Sequence, residues 1–183
     1  YLAYAGPYNF YTTARAHDLH LMIYTCMLLG QFEPAIQAAE KLCATLPKDV
    51  LTCRADTQMA VTMEGYYAME MHVLVRFGRW QQIIAQPMPE DPELYCVSTA
   101  MHHYAKGVAH AALGEIDAAT EQQEFFHQAV ERIPPARKFF NNTARATLGV
   151  GEKMLDGELA YRRGDYAAAF DHLRESVRRD DSL

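Results

Sequence analysis

Apolar residues recur at helical spacing through almost the whole chain, interrupted by glycine and proline, and no stretch alternates in the way a half-buried strand would. The pattern predicts four leading helices near Tyr11 to Leu29, Met59 to Phe77, Glu93 to Leu113 and Arg145 to Arg163. Each is followed by a partner, near Glu33 to Leu46, Trp80 to Ala85, Ile116 to Ile133 and Tyr166 to Arg179. The second partner is short because Pro87, Pro89 and Pro92 cannot continue a helix, and Pro134 and Pro135 end the third in the same way.

Between the members of each pair lies a repeated signature. A glycine is followed two residues later by a large apolar residue and five residues later by a small or aliphatic one: Gly30/Phe32/Ala35, Gly78/Trp80/Ile83, Gly114/Ile116/Ala119 and Gly164/Tyr166/Ala169. Physically this is a helical hairpin. The glycine takes the left-handed conformation that ends the first helix, the large residue plugs the base, and the small one lets the second helix approach closely. Glu33, Glu115 with Asp117, and Asp165 fall at or near the start of second helices, where a negative charge complements the helix dipole.

These residues resemble the tetratricopeptide repeat family, whose unit of about 34 residues carries glycine, an aromatic and alanine at the same spacing. Leu19 to Pro47 matches best, and Gly107 and Gly157 stand seven residues before their turn glycines, where the family has a small residue for helix packing. The resemblance implies an all-α right-handed superhelix of about four hairpins forming a single domain over residues 1–183. The turn glycines are 48, 36 and 50 residues apart, so the stacking is expected to be irregular. Inserts fall at Lys48 to Met63 and Ile133 to Leu148, each long enough for a loop or a short extra helix.

In the family, inner faces of the leading helices line a concave groove. Carried onto this chain, the groove positions are His17, His20, Tyr24 and Met27; Gly65, Ala68, His72 and Val75; Met101, Tyr104, Val108 and Ala111; and Gly151, Met154, Glu158 and Tyr161. The expected contacts of a protein or peptide partner are His17, His20, Tyr24, His72 and Tyr104. Family members that grip acidic chaperone tails use Lys, Asn and Arg where this chain has His20, Tyr24, Met69, Met101 and Ala105, which argues against that partner.

Composition narrows the remaining classes. A net charge of −6 with no basic cluster argues against a nucleic-acid binder, and no apolar run approaches the roughly 20 residues of a membrane-spanning helix. Cys26, Cys43, Cys53 and Cys96 form no CxxC pair and read as buried free thiols, so a reducing, cytoplasmic setting is expected. The chain opens on Tyr1, consistent with a processed or partial product of a longer solenoid.

His17 and His20, three residues apart, share a helix face and define the alternative reading: a metal-dependent or small-molecule enzyme, with His72 or Glu158 as third ligand. His102, His103 and His110 lie on a helix rich in Ala and Tyr with no carboxylate partner expected, and His127 and His172 are expected outside. No phosphate loop or GxSxG motif is present, so no catalytic residue, metal or cofactor is assigned. A homodimer through an exposed end is expected, because a terminal hairpin bares the side that a neighbour would cover.

Overall fold

A computed structural model describes residues 4, 6, 9–46, 48–52 and 63–183. The helices are α1 (Phe10–Leu28), α2 (Phe32–Thr45), α3 (Lys48–Leu51), α4 (Met69–Arg76), α5 (Trp80–Ala85), α6 (Cys96–Ala112), α7 (Ile116–Arg132), α8 (Ala144–Arg162) and α9 (Tyr166–Asp180). A 3₁₀ helix, Glu64–Ala68, leads directly into α4. α1 packs on α2, α6 on α7 and α8 on α9 as antiparallel pairs, and the shorter α4 and α5 make the second unit.

The four turns share one geometry. Gly30, Gly78, Gly114 and Gly164 have φ of 71°, 64°, 81° and 82°, the region where a side chain is strained. In the first turn, Gly30 N–H donates to Met27 C=O at 3.2 Å and Gln31 N–H to Cys26 C=O at 2.8 Å. That pair of bonds is the Schellman closure of a helix, and it recurs at the other three glycines. Ala35, Ile83, Ala119 and Ala169, five residues on, are all fully buried. Phe32 meets Phe77 edge-to-face and Trp80 lies against Gly78, but Tyr166 is 55% exposed and meets Tyr161 edge-to-face instead.

Small residues set the helix spacing as expected. A Cβ at Gly107 would stand 3.0 Å from Leu155 of α8, and one at Gly157 would stand 2.8 Å from Leu173 and 3.1 Å from the Ala169 carbonyl of α9. The apolar interior has two parts. One gathers α1, α2 and the start of the second unit, and the other gathers α5 to α8. α4 serves both, with Met69 and Val73 facing the first and Met71 and Leu74 the second.

The inserts depart from expectation in different ways. The first contains the single turn α3, and residues 53–62, with Cys53, lie outside the described residues. The second is neither an open loop nor a helix but a two-stranded antiparallel ribbon, β1 (Lys138–Phe139) and β2 (Asn142–Thr143), turning at Phe140 with φ 53°. It is tethered by Arg137, which donates to the buried Glu64 carboxylate at 3.0 Å and to Leu94 C=O at 2.9 Å. The other Glu64 oxygen accepts from Ser98 N–H at 2.7 Å, in the first turn of α6.

Candidate functional site

The leading helices direct one face toward a common concavity. There, a cavity of about 290 Å³ is lined by Tyr24 of α1, Gly65, Ala68 and His72 of the second unit, Met101 and Tyr104 of α6, and Gly151 and Met154 of α8. His72, Met101, Tyr104 and Met154 also border an adjoining cavity of about 310 Å³ that takes in Val75 and Arg76. Gly151 lies against the Tyr104 ring, which a Cβ there would meet at 3.4 Å, an ordinary van der Waals contact.

Of the five residues singled out from sequence, Tyr24, His72 and Tyr104 line this cavity. Tyr24 and His72 are ring neighbours, with centroids 5.6 Å apart. His20 sits behind them, edge-on to Tyr24 at 4.9 Å and to Tyr66 at 5.1 Å, and 5.2 Å from Phe140. Its Nε2 is buried without a hydrogen-bond partner. His17 points away: its side chain is 60% exposed and its Nδ1 lies 3.7 Å from Asp18. Met27, Val108 and Ala111 are core residues, and Glu158 is engaged by Arg162 at 2.8 Å.

Burial governs the electrostatics. It holds the His72 imidazole below its usual range, so the ring is neutral near pH 7. His20 is lowered by burial first, then by the neighbouring His17 and His72. Burial and the Glu158 charge push the Tyr104 phenol up to about 12, and its hydroxyl donates only to the Met154 thioether sulfur at 2.9 Å. A thioether is a weak acceptor, so this buried hydroxyl is underused. Tyr24 is raised by burial and by Asp180.

Two walls of the cavity were not foreseen. Phe139 and Phe140 reach in from the β1–β2 ribbon, and Asp180 at the end of α9 and Leu183 just after it close another side. Phe139 rests on Gly65, where a Cβ would be 3.1 Å from its ring. The signal for the ribbon is Phe139-Phe140-Asn141-Asn142, aromatic residues beside turn-forming asparagines, inside a segment bounded by Pro135 and a helix start. Asp180 and Leu183 carry no comparable signal.

The remaining histidines have structural partners. His102 Nδ1 bonds Ser98 C=O at 2.8 Å, His103 Nδ1 bonds Gln122 at 2.9 Å, and His127 is exposed. His172 is half-buried, 3.7 Å from Asp156. Contrary to expectation, His110 does have a carboxylate, Glu115 at 2.6 Å. The Schellman turn at Gly114 folds Glu115 back over the helix end, a proximity that spacing along a straight helix conceals. Among the described residues no group of three or more His, Cys, Asp and Glu is arranged to hold a metal ion. Cys26, Cys43 and Cys96 are unbridged, and burial raises the Cys43 thiol to about 12, far from a reactive thiolate. No described helix is long and apolar enough to cross a membrane.

A separate opening of about 380 Å³ lies under the strap Gln86 to Asp91, beside Cys43, Glu70 and His102. Its polar groups are engaged: Gln86 donates to Glu70 at 2.8 Å, and Lys48 pairs with Asp91 at 2.9 Å. The cavity between the leading helices differs in that the Tyr104 hydroxyl, a neutral donor, has only a thioether as its partner.

No family model, curated protein or solved structure matches this chain.

Proposed function

We propose that the protein is a non-catalytic, tetratricopeptide-like scaffold whose concave face holds a segment of a partner protein. The observation that carries this reading is the convergence of residues from all the leading helices on one apolar cavity with underused polar groups. Recognition sites of this composition bind through an apolar anchor and a few oriented hydrogen bonds. Tyr104 and His72 supply the hydrogen bonds, Met101 and Met154 the adaptable apolar wall, and Tyr24 the rim. Selection of a random displayed peptide library on the full chain tests it. Met154 is 40% exposed, so Met154→Lys fills the groove without disturbing the core. The expected result is a set of peptides that bind the parent protein and lose at least tenfold in affinity on the variant at matched thermal stability. Peptides indifferent to Met154→Lys, or none at all, overturn the reading.

The same scaffold reading predicts self-association through the last hairpin. Tyr166, Phe170 and Val177 of α9 are 55%, 47% and 61% exposed, an apolar stripe where the next unit of a solenoid would pack. Light scattering across a hundredfold concentration range should show dimer mass rising, and Phe170→Glu should abolish it. A constant monomer mass removes the homodimer.

A further inference from the structure

Charge around the concave face is uneven. The cavity walls include the rings of Tyr24, Tyr104, Phe139 and Phe140, and Asp180 is the only charged side chain among its lining residues. Two neighbouring basic residues are committed elsewhere. Arg178 pairs with Glu175 at 2.9 Å, and Arg179 donates to Glu152 at 3.1 Å and to Gly149 C=O at 2.9 Å. Arg76 borders the adjoining cavity, not this one. Asp180 stands close enough to Tyr24 for its charge to act on that phenol.

Aromatic faces carry negative quadrupole potential, and several rings around one space attract a cation, most effectively one whose hydration shell is weak. A free ammonium is strongly hydrated and loses much on entering such a site. An alkylated ammonium presents methyl groups to the rings and keeps its charge. Among the described lining residues no positive group competes, because burial keeps the imidazole of His72 neutral. A carboxylate at the border adds the counter-charge.

We propose that the anchor taken by this cavity is an alkylated ammonium group, the head of a methylated lysine in the partner segment, enclosed by Tyr24, Tyr104, Phe139 and Phe140 with Asp180 as counter-ion. The inference rests on the groove being a peptide-binding face and names what the peptide brings to it.

The test titrates the full chain with four probes, followed by calorimetry and by chemical shifts of the Tyr24 and Tyr104 rings. The probes are N-acetyl-trimethyllysine amide, its carbon isostere ending in a tert-butyl group, the unmethylated lysine amide, and choline. The trimethyllysine probe should bind about tenfold or more tightly than the isostere, the difference being the charge alone. Tyr24→Leu and Asp180→Asn should each shrink that ratio, at matched thermal stability. Tyr24 is 41% exposed and Asp180 is exposed, so neither change threatens folding. Equal binding of the isostere, or of unmethylated lysine, overturns the proposal, as does no binding of any probe. Choline binding more than tenfold tighter than the trimethyllysine amide also overturns it, in favour of a free small molecule. If library peptides bind the groove without an ammonium group, the scaffold reading stands and this inference alone falls.

Discussion

The second helical unit and the two hairpins that follow it begin from the same glycine turn and differ in where their fastening comes from. α6 to α9 are long helices that approach through Gly107, Gly157 and Ala169, and their polar bonds run between these helices themselves, as His103 to Gln122, Gln123 to Asp156 and Arg179 to Glu152 do. The second unit has an 8-residue and a 6-residue helix behind a 3₁₀ start, shorter than the helices of the other hairpins. It is fastened by polar tethers to residues outside the unit. Glu64 reaches Ser98 and Arg137, and Lys106 of α6 donates to the carbonyls of Ile84 at 3.2 Å and Gln86 at 2.7 Å at the open end of α5. A local turn signal is therefore enough to specify a hairpin's connection, while its length and fastening depend on partners far along the chain.

Removing a tether should break the comparison most sharply. The side chains of Glu64 and Arg137 are 1% and 12% exposed, and Arg137 Nε already lacks a partner. Glu64→Gln leaves a buried guanidinium without its counter-charge, which costs about 3–5 kcal/mol by analogy with other broken buried pairs. Urea titration should show that loss, with hydrogen exchange accelerating first in α4, α5 and the β1–β2 ribbon. Replacing both residues by Met should recover much of it, because the desolvation cost of the pair disappears together with its attraction. A loss under about 1 kcal/mol would mean that the pair does not fasten the unit, and that its apolar contacts suffice.

In the regular hairpins the equivalent break is steric. Gly157→Ala places a methyl 2.8 Å from Leu173 and 3.1 Å from the Ala169 carbonyl, and the carbonyl belongs to backbone that cannot turn aside. Overpacking costs about 1–3 kcal/mol, and alanine's better helix propensity returns about 1 kcal/mol. The net expectation is a loss of about 1 kcal/mol, confined to α8 and α9 in hydrogen exchange. A gain in stability would show slack between these helices.

Legibility in the sequence follows the same division. The bounds of α1, α2, α5, α6, α7, α8 and α9 were readable because apolar period, glycine and proline all act within one turn of the residue concerned. Phe77 to Ile83 was readable for that reason even though the unit around it is irregular. The 3₁₀ start at Glu64 was not, because it answers to Ser98 and to Arg137, a residue 73 positions away. The ribbon at Lys138 to Thr143 was missed for a related reason: two-residue strands carry no periodicity, and the fold holds them through Arg137. At the candidate site, Tyr24, His72 and Tyr104 came from register along helices. Phe139, Phe140 and Asp180 reach the same cavity by tertiary approach alone, and His17, one turn before His20, does not reach it, its side chain being 60% exposed.

Acid sharpens the comparison further, with the smallest effect. Burial lowers His72 in α4 and, in α6, both His102 and His103, so each folded-state pKa lies below the unfolded value of about 6.5. For such a group the unfolded chain takes up the proton first. Its stabilising contribution is complete above about pH 6.5 and drains away as pH falls toward the folded pKa. Glu70, in α4, is shifted the other way: burial first, then Glu40, raises its carboxyl, so the folded state takes up that proton first and gains stability on acidification. The second unit therefore carries one loss and one offsetting gain, whereas α6 carries two losses. Between pH 7.5 and about 4.5, the unfolded value for a glutamate, amide exchange corrected for its intrinsic pH dependence should accelerate more in α6 than in α4. In Glu70→Gln the offset is removed, and α4 should then follow α6. If α4 opens more readily than α6 in the parent protein, the polar fastening of the second unit depends on His72 staying neutral more than on its carboxylates.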